Sequence, residues 1–448
     1  MLVRPVARAF PKCSGYTFSN LPLRRHVTIY GMSGINHFST AASAPMAGAV
    51  VVGAGPGGIT VVGNLLEQKP HLGRNKLVWA DPKFEAGRVN ASYREVPSNT
   101  TVKLFLQFAN EVAPFRQIID STPKPNAVTN LQDLPQDEGC SLRYAADLCL
   151  MLSDGLARNP DVQQQRSTVI AATLDEQTTS WKVTFDNGET VTTPRMVLCT
   201  GSTPIMKRLP ILEEKSDRNS MPAIDLDVAL TPSLLAKTFN PDAPVTVGVV
   251  GASHSAILVL MNLVNLSTSS HPQLRIKWFT RNKLRYAEYK DGWILRDNTG
   301  LKGQAAAWAR ENLDEDTFAT SPVSKVIKKV WTAENEHQAY SAELPDCTHI
   351  VQAVGYERNP LPHLTTVGKD GTTPEPLQVE FDNDTGRFFR ATESSTNTKR
   401  DYVPGLFGAG IAFPERVTDP YKNVEYAVGF WKFMKFAKRV VPEWVSKP

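Results

Sequence analysis

Ala49-Val-Val-Val-Gly53-Ala-Gly55-Pro56-Gly57-Gly58-Ile59 decides how this chain folds. The four apolar residues Ala49 to Val52 predict a short buried strand. The glycine-rich run after them predicts a tight turn, and Ile59 to Gln68 a helix. Gly53 permits the turn, Gly55 lets backbone approach a pyrophosphate, and Gly58 lets helix and strand pack closely, with Pro56 and Gly57 completing the run. The helix directs its free N–H groups, and with them a partial positive charge, at that pyrophosphate. A second strand, Lys76-Leu-Val-Trp-Ala80, ends in Asp81, 28 residues after Gly53. A carboxylate there is placed to accept the ribose hydroxyls of a dinucleotide. Strand, glycines, helix, strand and acid in this order predict a dinucleotide site.

A second signature of the same kind begins 196 residues after the first. Val245-Thr-Val-Gly-Val-Val-Gly251-Ala-Ser253-His254-Ser255-Ala256-Ile reads as strand, turn and helix, with only the first of the usual three glycines. Ser253 and Ala256 are small enough for close approach. The next strand, Leu274-Arg-Ile-Lys-Trp-Phe, ends in Thr280-Arg281, where the first unit has Asp81. A guanidinium there suits a 2′-phosphate, which favours NADPH and leaves NADH possible. His254 is a candidate contact to the phosphates of that nucleotide; a structural histidine reads equally well.

Strand-rich sequence continues after the second unit, so the two units are expected to be nested. The predicted class is α/β, with two Rossmann-like dinucleotide-binding domains. The FAD-binding domain is discontinuous, 47–210 and 345–448, and the NAD(P)H-binding domain, 245–344, is inserted into it. Two adjacent sites in one chain predict electron transfer between two dinucleotides. Met196-Val-Leu-Cys-Thr-Gly201 is a buried strand ending in the glycine at which the chain leaves the first unit. Asn187-Gly188 predicts a hairpin turn. Residues 121–139 read as a surface loop and 202–244 as a connection. Asp419-Pro420 reads as N-cap and first residue of a last helix running from about Tyr421 to Val440. That helix N-terminus, with Asn423 in its first turn, is a candidate donor to reduced flavin.

At 448 residues the chain is too long for a single core. A net charge of +4 is mild, and no nucleic-acid partner is expected. No apolar run approaches the 18 or so residues of a membrane span. The five cysteines form no C-x-x-C pair, which argues against a disulfide framework, a metal site and a redox-active dithiol. Before Glu67 there is no acidic residue, and residues 1–46 carry Arg4, Arg8, Lys12, Arg24 and Arg25 among many Ser, Thr and Ala. This is the composition of a mitochondrial transit peptide. The alternative is a tail on a cytoplasmic enzyme, with translation starting at Met32 or Met46. The last helix carries Lys432, Lys435, Lys438 and Arg439 beside Trp431, Phe433, Met434 and Phe436. It suits either a solvated face or a peripheral membrane or protein partner.

Four segments together resemble the flavin-containing monooxygenases and the related N-hydroxylating monooxygenases. Gly53–Gly58, Leu198-Cys-Thr-Gly201, Gly251–Ala256 and Gln352-Ala-Val-Gly355-Tyr356 fall in the order of two-dinucleotide-domain flavoproteins. Gln352–Tyr356 looks like the Ala-Thr-Gly-Tyr signature of that group, with Val354 in place of threonine. Tyr93-Arg-Glu-Val-Pro-Ser-Asn99-Thr resembles its tyrosine-to-asparagine segment, whose asparagine lies beside the flavin. The aromatic-Gly-x3-His signature of the group is not evident. Gly410 is followed by Ile411, where disulfide reductases and NADH dehydrogenases carry aspartate.

The resemblance implies an FAD-dependent, NADPH-using oxidoreductase that oxygenates a small N- or S-nucleophile with O2. Oxygen activation needs a dry pocket and a hydrogen-bond donor, and Asn99 is the candidate; alternatively it caps a turn after Pro97. Two other readings stand beside this one. The first is a flavin dehydrogenase passing electrons to a quinone or protein. The second is a flavoprotein fold kept as a subunit or assembly factor of a mitochondrial complex.

Overall fold

The computed structural model describes residues 45–209, 221–368, 371, 373–391 and 400–446. All but the last two residues of the segment read as a leader lie outside the described residues. Those two are already tied down: Thr192 donates its N–H to the Pro45 carbonyl at 3.0 Å, and Met46 bridges to Thr192.

Two parallel triplets of strands organise the rest. In the first, β1 (Ala49–Val52) lies between β2 (Leu77–Ala80) and β3 (Met196–Leu198). In the second, β4 (Val245–Val250) lies between β5 (Leu274–Thr280) and β6 (His349–Gln352). Their residues are mostly apolar and almost continuously buried, as strands covered on both faces must be. Each central strand leads into a helix, α1 (Pro56–Glu67) or α2 (His254–Ser269).

The first triplet grows into a seven-stranded sheet by adding Val162–Gln165 beyond β2 and, beyond β3, Tyr402–Gly408, Arg387–Arg390 and Val379–Asp382. The second becomes a five-stranded parallel sheet with Ile327–Trp331 beside β5 and Ala223–Ile224 beside β6. A separate five-stranded sheet contains the Asn187-Gly188 hairpin, with Gly188 at φ +84°.

The first sheet is thus built from both ends of the described chain, and the second interrupts it. The interruption is wider than the expected 245–344. Strand β6 falls within the segment assigned to the first domain, yet pairs with β4. Ala223–Ile224 pairs with β6 in turn. The helices Leu226–Leu230 and Pro232–Leu235 bury Leu226, Ala229, Leu230 and Leu235 in the second core.

Three local expectations also change. Residues 121–139 are not all loop. Asn126 accepts the N–H groups of Val128 and Thr129 and starts a helix, Ala127–Gln132, that buries Val128 and Leu131. No helix starts at Asp419-Pro420. Glu415–Thr418 and Val424–Ala427 form an antiparallel hairpin, with Asp419–Asn423 as its loop and Lys422 at φ +67°. The last helix, α3, is Phe430–Ser446. It buries Phe433, Met434, Phe436, Ala437 and Val441 against α1 and its neighbours. Three of the four cations expected to form a basic face are paired, Lys432 with Asp297, Lys438 with Glu67 and Arg439 with Glu415, and Lys435 is exposed.

The crossing of α1 over β1 is the tightest point of the first unit. A Cβ built on Gly58 would lie 1.8 Å from the Gly53 carbonyl oxygen. Gly58→Ala therefore forces helix from strand. It should destabilise the protein by about 1–3 kcal/mol, read as a fall in thermal unfolding midpoint together with loss of bound FAD.

Candidate active site

The first turn is shaped by backbone contact. Gly53 has φ +107°, and a Cβ on it would lie 2.4 Å from the Cys199 carbonyl oxygen at the end of β3. Gly57 faces Gly410, where a Cβ would meet the Gly410 Cα at 2.9 Å. A Cβ on Gly55 would meet nothing closer than the Gly87 Cα at 3.9 Å, so this position is open. Gly55 is the N-cap of α1, with no side chain capping the helix and Pro56 in its first turn. The first N–H groups of α1 are thus free of any side-chain cap, as a pyrophosphate site requires. Asp81 closes the turn from the side. Its carboxylate accepts the Ala54, Lys83 and Phe84 N–H groups, each at 2.8 Å.

The second turn repeats the first. Gly251 has φ +131°, and its Cβ would lie 2.4 Å from the Ala353 carbonyl oxygen at the end of β6. Trp79 Nε1 donates to the Gly53 carbonyl at 2.9 Å, and Trp278 Nε1 donates to the Gly251 carbonyl at 2.7 Å. Both third strands continue into a glycine with positive φ, Gly201 at +75° and Gly355 at +120°. The paired tryptophans were open to sequence reading, since they stand 26 and 27 residues after their glycines. The same register corrects Arg281. The Gly53 N–H bonds the Ala80 carbonyl, and the Gly251 N–H bonds that of Phe279. Thr280 therefore matches Asp81, and Arg281 follows one residue later. Arg281 is exposed and has no ion pair among the described residues.

Ser253 is the N-cap of α2, and no side chain caps this helix either. The Ser253 hydroxyl reaches only the Ala353 carbonyl, at 3.4 Å. Ser255 lies in the first turn, beside His254. The His254 Nδ1 is sealed from solvent and has no hydrogen-bond partner among the described residues. Burial first, and the Lys302 ammonium second, push the His254 pKa down to about 4. The ring is therefore neutral at pH 7.

A third helix end faces the same region. Asn64 of α1 meets Met434 of α3, and Glu67 meets Lys438, so α1 and α3 run in the same direction. Their N-termini lie at one end of the pair, and the last helix starts at Phe430 and not at Asp419-Pro420. Asn423 is not at that terminus. In the hairpin loop its N–H and Nδ2 both donate to the Asp419 carboxylate, at 2.8 Å each, and it is exposed.

Asn99 lies on the strand Pro97–Thr101. It lines a cavity of about 760 Å³ with Leu258 and Met261 of α2, Tyr289 and Gln304. It does not cap a turn. Between the strand and the first turn, Tyr93 donates to Asp227 at 3.0 Å and touches the Tyr356 hydroxyl at 3.4 Å. Arg88 pairs with the same Asp227. The tyrosine-to-asparagine segment and the Ala-Val-Gly-Tyr segment thus meet in space.

Residues 50–203 match the FAD-NAD(P)-binding family. Over 404 residues the chain is 52% identical to Monooxygenase AgnR1 of Paecilomyces divaricatus, across 89% of this chain and 98% of that protein. The chain belongs to the flavin monooxygenases. The flavin-containing monooxygenase from Stenotrophomonas maltophilia shares its fold, at 13% identity and a TM-score of 0.51, over 89% of this chain and 98% of that one. Cyclohexanone monooxygenase from Rhodococcus sp. Phi1 bound to NADP+ is 18% identical with a TM-score of 0.36, over 60% of this chain. The chain spans 43% of the length of that structure.

As a flavin monooxygenase the protein uses FAD and NADPH, and its two uncapped turns fit them. The open Gly55 position, Gly57 against Gly410, and Asp81 would hold FAD. The N-terminus of α2, with Ser253, His254 and Ser255, would hold the NADPH pyrophosphate. Among the described residues no cluster of His, Cys, Asp and Glu could hold a metal, and the four cysteines there are free. No described helix is long and apolar enough to cross a membrane.

The His254 environment makes a pH prediction. The folded-state pKa lies below the unfolded value of about 6.5, so the unfolded chain binds the extra proton first. The stability tied to neutral His254 is complete above pH 6.5 and is lost as pH falls toward 4. His254→Gln should flatten the fall in thermal midpoint between pH 6.5 and 4.5 relative to the parent protein; equal slopes would refute the assignment.

Proposed function

We propose that this flavin monooxygenase transfers oxygen to a nucleophilic nitrogen or sulfur centre of a small molecule held in the cavity beside Asn99. Bound FAD supplies the redox chemistry, accepting hydride from NADPH and activating O2. The chain's own residues bind and orient the reactants.

The observation that carries this reading is the cavity itself. At about 760 Å³ it has the size of a small-molecule site. It is walled on one side by the strand bearing Asn99 and on the other by α2, the helix of the nicotinamide site. Leu258, Met261 and Tyr289 give it an apolar lining, and Asn262, Asn265 and Gln304 give it hydrogen bonds. Glu95, Asp137 and Glu138 line it, and no lysine or arginine does. That charge pattern favours an amine or neutral nucleophile over a carboxylate. The Asn99 amide supplies the hydrogen bond that oxygen transfer requires.

Incubation with NADPH, O2 and a panel of an alkylamine, a thioether and a cyclic ketone tests the reading, with oxygenated product and hydrogen peroxide measured against NADPH consumed. N- or S-oxide is expected, and lactone as the main product would overturn it. Asn99→Ala should lower coupling about tenfold or more, the scale of one lost transition-state donor, with peroxide rising to match. For the cell, the acid-free basic stretch 1–46 supports mitochondrial import. A fluorescent fusion should lose its mitochondrial signal when residues 1–44 are removed, and an unchanged pattern would refute import.

A further inference from the structure

Two cations stand where the helix dipoles disfavour them. Lys432 is in the first turn of α3, and Lys302 starts the helix Gly303–Asn312, which packs in one core with the first turns of α2 and whose leading cation opposes protonation of His254. Helix N-termini carry partial positive charge and favour anions. Lys432 is also largely desolvated, and this burial draws its pKa down. One carboxylate answers both cations. Asp297 pairs with Lys302, and it pairs with Lys432 at 2.7 Å. Lys432 further donates to Asn298 Oδ1 at 2.6 Å.

The loop bearing Asp297 belongs to the second unit, and its anchors belong to the first. Glu425, 8% exposed, accepts the Asn298 N–H at 3.0 Å, Asn298 Nδ2 at 3.1 Å and the Thr299 hydroxyl at 2.5 Å. The loop leaves its flanking backbone through two left-handed residues, Arg296 at φ +57° and Gly303 at φ +55°. Gly303 packs on Ser98 and Asn99 at the cavity wall. The loop thus runs from the α3 terminus, past the α2 terminus, to Asn99.

We propose that Asp297 is a positioning residue that fixes the N-terminus of α2 against the N-terminus of α3, and with them the nicotinamide against the flavin. This rests on the assignment of α2 to NADPH and α3 to the flavin end. Hydride transfer falls steeply with misplacement of the reacting atoms, and a shift near 1 Å can lower the rate about a hundredfold. A shared carboxylate bridging two cations holds such a distance better than separate surface pairs, because removing it leaves two buried like charges to repel.

The test is anaerobic single-turnover reduction of FAD-loaded protein by saturating NADPH, followed by the loss of flavin absorbance. NADP+ and FAD affinities are measured alongside by titration. Asp297→Asn should slow reduction at least tenfold with both affinities within threefold of the parent, and Asp297→Glu should recover most of the rate. Equal rates in Asp297→Asn and the parent overturn the positioning role and leave the cofactor assignment intact. So does a rate loss matched by loss of either affinity. A parent protein that NADPH does not reduce overturns the assignment itself, and the proposal with it. Should Asp297→Asn fail to fold with FAD, Asn298→Ala removes contacts to Lys432 and Glu425 without stranding a cation. A slowing of about threefold then supports the role, and none overturns it.

Discussion

Everything in this structure depends on two places where backbone crosses backbone with no room for a side chain. At Gly53 the obstacle is the Cys199 carbonyl, and at Gly251 it is that of Ala353. Each crossing locks a central strand to the strand beside it and turns the chain into a helix. Each is braced by an indole N–H donating to the glycine's own carbonyl, from Trp79 or Trp278. Both tryptophans are fully buried, so the N–H must be satisfied inside, and the turn carbonyl satisfies it. The helix ends are left uncapped as a result, since the N-cap positions hold Gly55 and a serine turned back toward β6. Two cofactor cradles follow from one steric constraint used twice.

The repeats are also physically joined at their equivalent points. After Gly201 the chain runs through Ser202–Pro204, and after Gly355 through Tyr356–Arg358. These segments pair with each other in an antiparallel ribbon. The Gln352 side chain adds two bonds to the Lys207 backbone, at 3.0 and 2.7 Å. A two-stranded ribbon is a narrow joint and does not by itself set the angle between two sheets. That task falls to contacts away from it. They include the bonds of Arg88 and Tyr93 to Asp227, those of Thr231 to Ser92 and Ser233 to Glu95, and the charged loop of Asp297 to Thr299. These groups join different segments of the two units, so together they resist rotation that any one alone would allow.

What the sequence shows plainly is what a local pattern determines. Apolar runs gave β1, β4 and their neighbours, and the glycines gave both turns. The misses share a cause, in that tertiary pairing decided between local options of similar merit. Asp419-Pro420 suits a helix start as well as a turn. Asp419 can cap N–H groups in either, and it caps those of its own loop because Val424 to Ala427 pairs back on Glu415 to Thr418. His349-Ile-Val-Gln reads as a buried strand in any sheet, and only its register with Val247 to Val250 assigns it to the second. The basic residues of α3 look free until the distant acids that meet them, Glu67, Asp297 and Glu415, are placed beside them. Of the candidate site, Gly53 to Gly58, Asp81 and the second turn were legible because they are local. The loop that bridges the helix ends was not, since its partners lie more than 100 residues away in the chain.

The loss of glycines in the second turn bears on whether that site is intact. In the first turn three positions tolerate no larger residue: Gly53 against Cys199, Gly57 against Gly410 and Gly58 against Gly53 itself. In the second turn only Gly251 is under the same compulsion. Ala256 stands where Gly58 would, and its methyl group is an ordinary neighbour, 3.4 Å from where a Cβ on Gly251 would lie. The second helix therefore sits slightly farther from its strand, and Ser253 and Ser255 fit without strain. A motif that looks degenerate as a string is complete as a shape, because the one glycine it keeps is the one that geometry requires. Ser253 and Ser255, where the first turn has Gly55 and Gly57, and His254, where it has Pro56, add side-chain hydrogen-bonding groups to the free N–H groups of the helix end. On this physical ground the second turn keeps the shape of the first, with a strained glycine at the crossing and an uncapped helix after it.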